Sequence, residues 1–185
     1  MSHRNDKNRS RPIFIIMTDE KKYKIVIFGA FGAGKTTLVK TLDPGSRHVE
    51  ADCTGGTTTV ALDYGRLQVN GFSVYLFGTP GQERFEFARE IISRGMDGAI
   101  LIVDATSMLD DFTRHLYDTL TSARVPLVIF LNKCENIGAN PELLKNQFGI
   151  SPVWTVSALD KNQSIKAIGN FVETFPSHPN MHNRT

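Results

Sequence analysis

The sequence predicts an α/β fold: a doubly wound sheet of about six strands, mostly parallel, with one antiparallel edge hairpin strand and helices on both faces. Three observations carry this. Near-continuous runs of Ile, Val, Leu and Phe alternate with helical patterns, as strands buried on both faces do. Asn70-Gly71 separates two of these runs, and that dipeptide favours a tight hairpin turn. A glycine-rich stretch joins the first run to the first helical pattern, at the strand end where such sheets bind ligands.

In chain order, YKIVIF (residues 23–28) is the first strand, and GKTTLVKTL (34–42) opens the first helix directly after the glycines. Residues 60–69 and 72–77 flank Asn70-Gly71 and form the antiparallel hairpin. A helix is expected over 84–93, then a strand at GAILIV (98–103), a helix over 108–122 and a strand at VPLVIFL (125–131). A helix over 141–147, a strand over 152–156 and a helix over 161–175 complete the series. Right-handed crossovers between parallel strands put helices on both faces. Residues 43–56 are rich in turn formers and little patterned, and are expected to be ordered only by a ligand.

The 185 residues, 41% hydrophobic and 22% charged, suit one domain with its own core. Residues 1–20 read as a flexible basic extension, with Met17 a possible native start; 21–176 as the domain; 177–185 as a flexible tail. A net charge of +2 gives little pull on nucleic acid, so none is expected as a partner. No apolar run approaches the roughly 20 residues that span a bilayer. There is no Gly at position 2 and no C-terminal Cys, so no direct lipid anchor is expected. Cys53 and Cys134 match no metal spacing and read as thiols in a reducing, cytoplasmic setting.

GAFGAGKTT (29–37) satisfies G-x-x-x-x-G-K-[ST] between a predicted strand and helix, the context in which that spacing binds phosphate. The fold is thereby specified as a P-loop NTPase. The candidate phosphate-binding residues are Gly29, Ala30, Phe31, Gly32, Ala33, Gly34, Lys35, Thr36 and Thr37. Backbone N–H groups of such a loop turn inward around phosphate oxygens, and the helix N-terminus favours the anion. Lys35 is placed to neutralise β and γ phosphates, and the Thr36 hydroxyl to meet Mg2+.

NKCE (132–135) follows the fifth strand and SAL (157–159) the sixth. With the phosphate loop, these motifs resemble those of Ras-like small GTPases over about residues 22–175. The resemblance implies GTP/GDP as ligand and substrate, with Asn132 on the guanine ring and Lys133 packed over it. Glu135 accepts from the ring in place of the family's aspartate, one methylene longer, which implies a retained but weakened guanine preference. Ser157, Ala158 and Leu159 form the turn whose backbone N–H meets the guanine oxygen.

The resemblance also implies a switch threonine before the second strand that meets Mg2+ and the γ-phosphate. Thr59 aligns best, with Thr58 as alternate. FGTPGQERF (77–85) resembles D-x-x-G-Q-E-R-F. By that likeness the Gly81 N–H meets the γ-phosphate and Gln82 orients the attacking water. Gly78 stands where the family's Mg2+-binding aspartate would be, and Asp52, Asp63 and Asp104 are candidate substitutes. Pro80 before Gly81-Gln82, with the acid replaced, looks like prokaryotic polarity-type small GTPases that work with roadblock-domain regulators.

Phe31 crowds the catalytic glutamine or a partner's arginine; with Gly78 it implies slow intrinsic hydrolysis, assisted by a regulatory or effector protein. Arg47 is a candidate in-chain arginine, while Arg84 reads as a surface residue. Phe85 and Phe87 are either a partner surface or buried against the sheet. His48 and His115 belong to no recognisable cluster. The expectation is a GTP-binding molecular switch; the alternatives are an interaction module without appreciable hydrolysis and a kinase on the same loop.

Overall fold

A computed structural model describes residues 21–52 and 59–176. Seven strands form one sheet in the order β2-β3-β4-β1-β5-β6-β7. They are β1 (Lys22–Phe28), β2 (Arg47–Asp52), β3 (Thr59–Val69), β4 (Phe72–Gly78), β5 (Gly98–Asp104), β6 (Leu127–Asn132) and β7 (Val153–Thr155). The helices are α1 (Lys35–Leu42), α2 (Glu86–Ser93), α3 (Asp111–Ser122), α4 (Pro141–Lys145) and α5 (Lys161–Glu173). The expected extension and tail, residues 1–20 and 177–185, lie outside the described residues.

Every expected strand is present, and β2 is one more. It pairs antiparallel with β3 from Arg47 opposite Tyr64 to Asp52 opposite Thr59. Thus β3 is the strand that runs against the others, but it is not at the sheet edge: β2 lies outside it. The segment expected to be unstructured until a ligand orders it is, in this part, an edge strand. Residues 47–50 are exposed on both faces, so the strand is held by its backbone ladder and leaves no period-two pattern to read. At the hairpin, Asn70 (φ 49°) and Gly71 (φ 79°) both have positive φ, as the tight turn between β3 and β4 requires.

Alternation along β1 divides the core. Tyr23, Ile25 and Ile27 face α1 and α5, where Leu38, Val39, Leu42, Ile168, Phe171 and Val172 pack against them. Val26 and Phe28 face the other layer, with Leu116, Leu120, Leu144 and Phe148. Helix starts are set by caps: Asp110 accepts from Thr113 N at 2.7 Å, Asn140 from Leu143 N at 3.1 Å and Asp160 from Gln163 N at 3.0 Å. The third helix therefore begins at Asp111 rather than 108, and the segment after Gln82 is one 3-10 turn (Glu83–Phe85) before α2 begins.

Candidate functional site

The carboxyl ends of β1, β4, β5 and β6 converge on the loop between β1 and α1, the strand ends at which doubly wound sheets bind ligands. Gly34, at the N-cap of α1, has φ 111°, and a Cβ there would lie 2.2 Å from Asn132 Nδ2. Only glycine meets both conditions. The loop curls around its own lysine: Lys35 Nζ donates to Gly29 O at 2.8 Å and to Ala30 O at 2.7 Å. Burial drives the Lys35 ammonium down to about 8; the nearby Asp63 carboxylate opposes that shift and the Arg89 charge adds to it.

A cleft of about 420 Å³ opens over this loop, lined by Lys35, Thr36, Thr37 and Phe31 on one side and Thr79, Pro80, Gly81 and Gln82 on the other. Phe31 is 81% exposed at its rim. Gly81 sits against the loop so closely that a Cβ would lie 2.6 Å from Lys35 Nζ and 2.8 Å from Phe31 N. Gln82 has its side chain exposed. From α2 the buried Arg89 clamps this turn, donating from Nη1 to Gln82 O at 2.7 Å and from Nη2 to Glu83 O at 2.8 Å. Sequence reasoning passed Arg89 over, because nothing local distinguishes it from a surface helix arginine. Phe85 is buried, as the burial alternative for this pair expects, and Phe87 is half-exposed.

On the same side of the cleft, Thr36 Oγ1 donates to Asp63 Oδ2 at 2.5 Å. Asp63 Oδ1 lies 2.6 Å from His48 Nδ1, and a carboxylate can only accept, so His48 donates. His48, read from sequence as outside any cluster, thus belongs to a chain of contacts that reaches Thr36. Asp63 lies opposite His48 on one side and opposite Gly78 on the other. Thr59 begins β3 opposite Asp52; its side chain, that of Asp52, and all of Thr58 and Cys53 lie outside what is described. Arg47, exposed at the start of β2, and Arg84, over the Phe85 ring at 4.9 Å, are both surface residues. Among the described residues, no three His, Cys, Asp or Glu side chains converge to hold a metal.

At the other end of the cleft, the buried Asn132 ties three segments. Its Nδ2 donates to Ala33 O at 2.9 Å, and its Oδ1 accepts from Ala158 N at 2.9 Å. That backbone N–H, which the resemblance directs to a guanine oxygen, is here taken by Asn132, because the turn after β7 folds inward onto β6. Lys133, at φ 63°, spans from Gly32 O (2.9 Å) to Asp104 Oδ2 (2.5 Å). Burial would raise the Asp104 carboxyl, but hydrogen bonds from Lys133 and Thr106 outweigh it and hold it below its ordinary value. Asp104 is thereby engaged on the base side, away from Thr36. Ser157 Oγ lies 3.3 Å from Glu135 Oε1, and Leu159 is exposed. Glu135 and Ser157 share a shallow pocket with Thr155, Asp160 and Gln163.

The elongation factor Tu GTP binding domain family matches residues 20–173. An uncharacterized protein of Methanocaldococcus jannaschii is 38% identical over 112 residues, 60% of this chain and 70% of that protein. Translation initiation factor IF-2 of Mesoplasma florum is 32% identical over 121 residues, 65% of this chain but 19% of the factor, so the chain corresponds to about a fifth of that relative. Among solved structures, the G domain of the T. maritima FeoB iron transporter superposes with TM-score 0.63 at 20% identity, covering 82% of this chain and 98% of that one. Elongation factor SelB from Methanococcus maripaludis, complexed with a GTP analogue, gives TM-score 0.67 at 19% identity over 89% of this chain and 37% of the factor. With the family match spanning the sheet, the phosphate loop and the base-side turns, this chain belongs to the elongation factor Tu GTP-binding domain family and is a P-loop GTPase domain.

Proposed function

We propose that residues 21–176 form a guanine-nucleotide switch that binds GTP and GDP with Mg2+ and hydrolyses GTP slowly, with help from a regulatory protein. The observation that carries this reading is the curled loop: Gly29 O and Ala30 O hold the buried Lys35 ammonium at the mouth of the α1 N-terminus. A nucleotide phosphate is the group for which a desolvated cation and inward N–H groups are suited. Lys35 binds the β and γ phosphates. Asn132, Lys133 and Glu135 hold guanine, with Ser157, Ala158 and Leu159 as the turn beside it. Gly81 contributes its N–H to the γ-phosphate and Gln82 orients water.

Thr36 and Thr59 are the proposed protein ligands of Mg2+. The Thr36 hydroxyl fits, being anchored in the cleft beside a carboxylate. When bound, the ion neutralises charge on the β and γ phosphates. Loss of the γ-phosphate releases Gly81 and Thr59, which is the switch. Pro80 ahead of Gly81-Gln82 supports a polarity-type GTPase acting with a roadblock-domain regulator in the cytoplasm.

Single-turnover conversion of bound GTP to GDP, compared with Gln82→Ala, tests the reading. Slow conversion that falls roughly 100-fold or more in the variant is expected, the range for a positioned catalytic group. GTP intact in both proteins would favour an interaction module, an outcome to which Phe31 at the cleft rim gives physical grounds. Competition by ATP equal to that by GTP would overturn the guanine assignment.

A further inference from the structure

Gly78 lacks the carboxylate that the magnesium site of a GTPase draws from this loop, yet its backbone does not call for glycine. Its φ lies outside the left-handed region, in the ordinary register of β4. What crowds a side chain there is Asp63, directly opposite on β3. A Cβ on residue 78 would lie 3.1 Å from Asp63 Cβ and 3.3 Å from Asp63 Oδ2. Asp63 would have to give by a few tenths of an ångström to admit a Cβ at 78, so carboxylates at both positions would crowd each other across this pair.

We infer that Asp63 is the acidic member of the magnesium site, the carboxylate having crossed from β4 to its antiparallel neighbour β3. This deepens the GTPase reading above and rests on it. Asp63 Oδ2 receives the Thr36 hydroxyl hydrogen at 2.5 Å, and a hydroxyl that donates to a carboxylate keeps its lone pairs for a cation. Asp63 is 6% exposed and lines the same cleft as Lys35, Thr36 and Gly81. His48, its other neighbour across the sheet, holds Oδ1 at 2.6 Å and so fixes the carboxylate's orientation. That is the part played by hydrogen-bonding partners around metal ligands. Of the other acids weighed for this place, Asp104 is committed to Lys133 and Thr106.

The test follows release of a fluorescent GDP analogue from the full chain, first in excess EDTA and then across a Mg2+ titration. For wild type, Mg2+ should slow release. In Asp63→Asn, release in EDTA should match wild type within about twofold, while the Mg2+ concentration for half-maximal slowing rises about 10- to 100-fold, the range for losing such a group. Mn2+ bound to the GDP-loaded protein, read by EPR, should weaken in parallel. The exchange variant Asp63→Gly/Gly78→Asp, which returns the acid to β4 and clears the space opposite, should recover the wild-type midpoint. An unchanged Mg2+ midpoint in Asp63→Asn would overturn the inference. So would release accelerated equally with and without Mg2+, since that marks a structural role alone. Failure of wild type to bind guanine nucleotide would instead remove the underlying GTPase reading.

Discussion

Lys35 shows how a single residue carries both the fold's strain and its ligand preference. Its ammonium is buried, and burial lowers it from an ordinary 10.5 to about 8. Without nucleotide, charged Lys35 therefore opposes folding below pH about 8, and this cost is relieved as pH rises toward 10.5. The total is on the order of 3 kcal/mol. Against nucleotide-free Lys35→Met, which also loses the donor to Gly29 O and Ala30 O, wild type should therefore gain relative melting temperature as pH rises from about 8 to 10.5. Parallel melting curves across that range would refute this account. If Lys35 binds the phosphates as proposed, GDP and Mg2+ should raise the wild-type melting temperature more than that of the variant. GAFGAGKTT was legible because every residue of the loop is local in sequence. The Thr36–Asp63–His48 contacts were not, because Asp63 and Gly78 meet only once the β3–β4 register is set. In sequence, the glycine reads as a deletion of function and the aspartate as one acid among several.

At the scale of elements, legibility followed burial. Strands β1, β5 and β6 were readable because helices cover both their faces, whereas β2 escaped notice because residues 47–50 are exposed and have no apolar alternation. Helix boundaries moved where a side chain caps the first turn. Asp110→Ala removes the acceptor for Thr113 N and should cost about 1 kcal/mol, read as a lower melting temperature with nucleotide affinity unchanged. A larger effect is expected at Arg89, which joins α2 to the carbonyls of Gln82 and Glu83. Arg89→Met keeps much of the apolar stem over Phe112 but removes the side-chain donor to both carbonyls, leaving Gln82 O with the Phe85 N–H alone. The variant should lose roughly 1–3 kcal/mol of stability. Its single-turnover hydrolysis should slow while GDP affinity holds within a few-fold, since the hydrogen bonds of Arg89 go to the 80–83 turn and not to the phosphate loop. Equal losses in hydrolysis and GDP affinity would show that the clamp acts on the whole cleft.

Across the whole molecule, the sheet brings together segments that no local reading can join. Asn132 binds Ala33 O, 99 residues before it, and Ala158 N, 26 residues after it. From sequence the motif NKCE is expected to contact the base; in the structure its first residue fastens the phosphate loop to the turn after β7. Asn132 is 4% exposed, so removing it leaves a buried carbonyl and a buried N–H unpaired. Asn132→Ala should therefore destabilise the nucleotide-free protein by about 2–4 kcal/mol, as two such groups are stranded. Asn132→Asp separates the two halves of the tie: it keeps the acceptor for Ala158 N and turns a carboxylate oxygen toward Ala33 O. It should destabilise the nucleotide-free protein at pH 7, and the loss should shrink as acid protonates the new carboxyl and restores a donor. Thermal melts of both variants without nucleotide read this directly. A residue that served only to contact guanine would leave those melts unchanged and lower affinity alone.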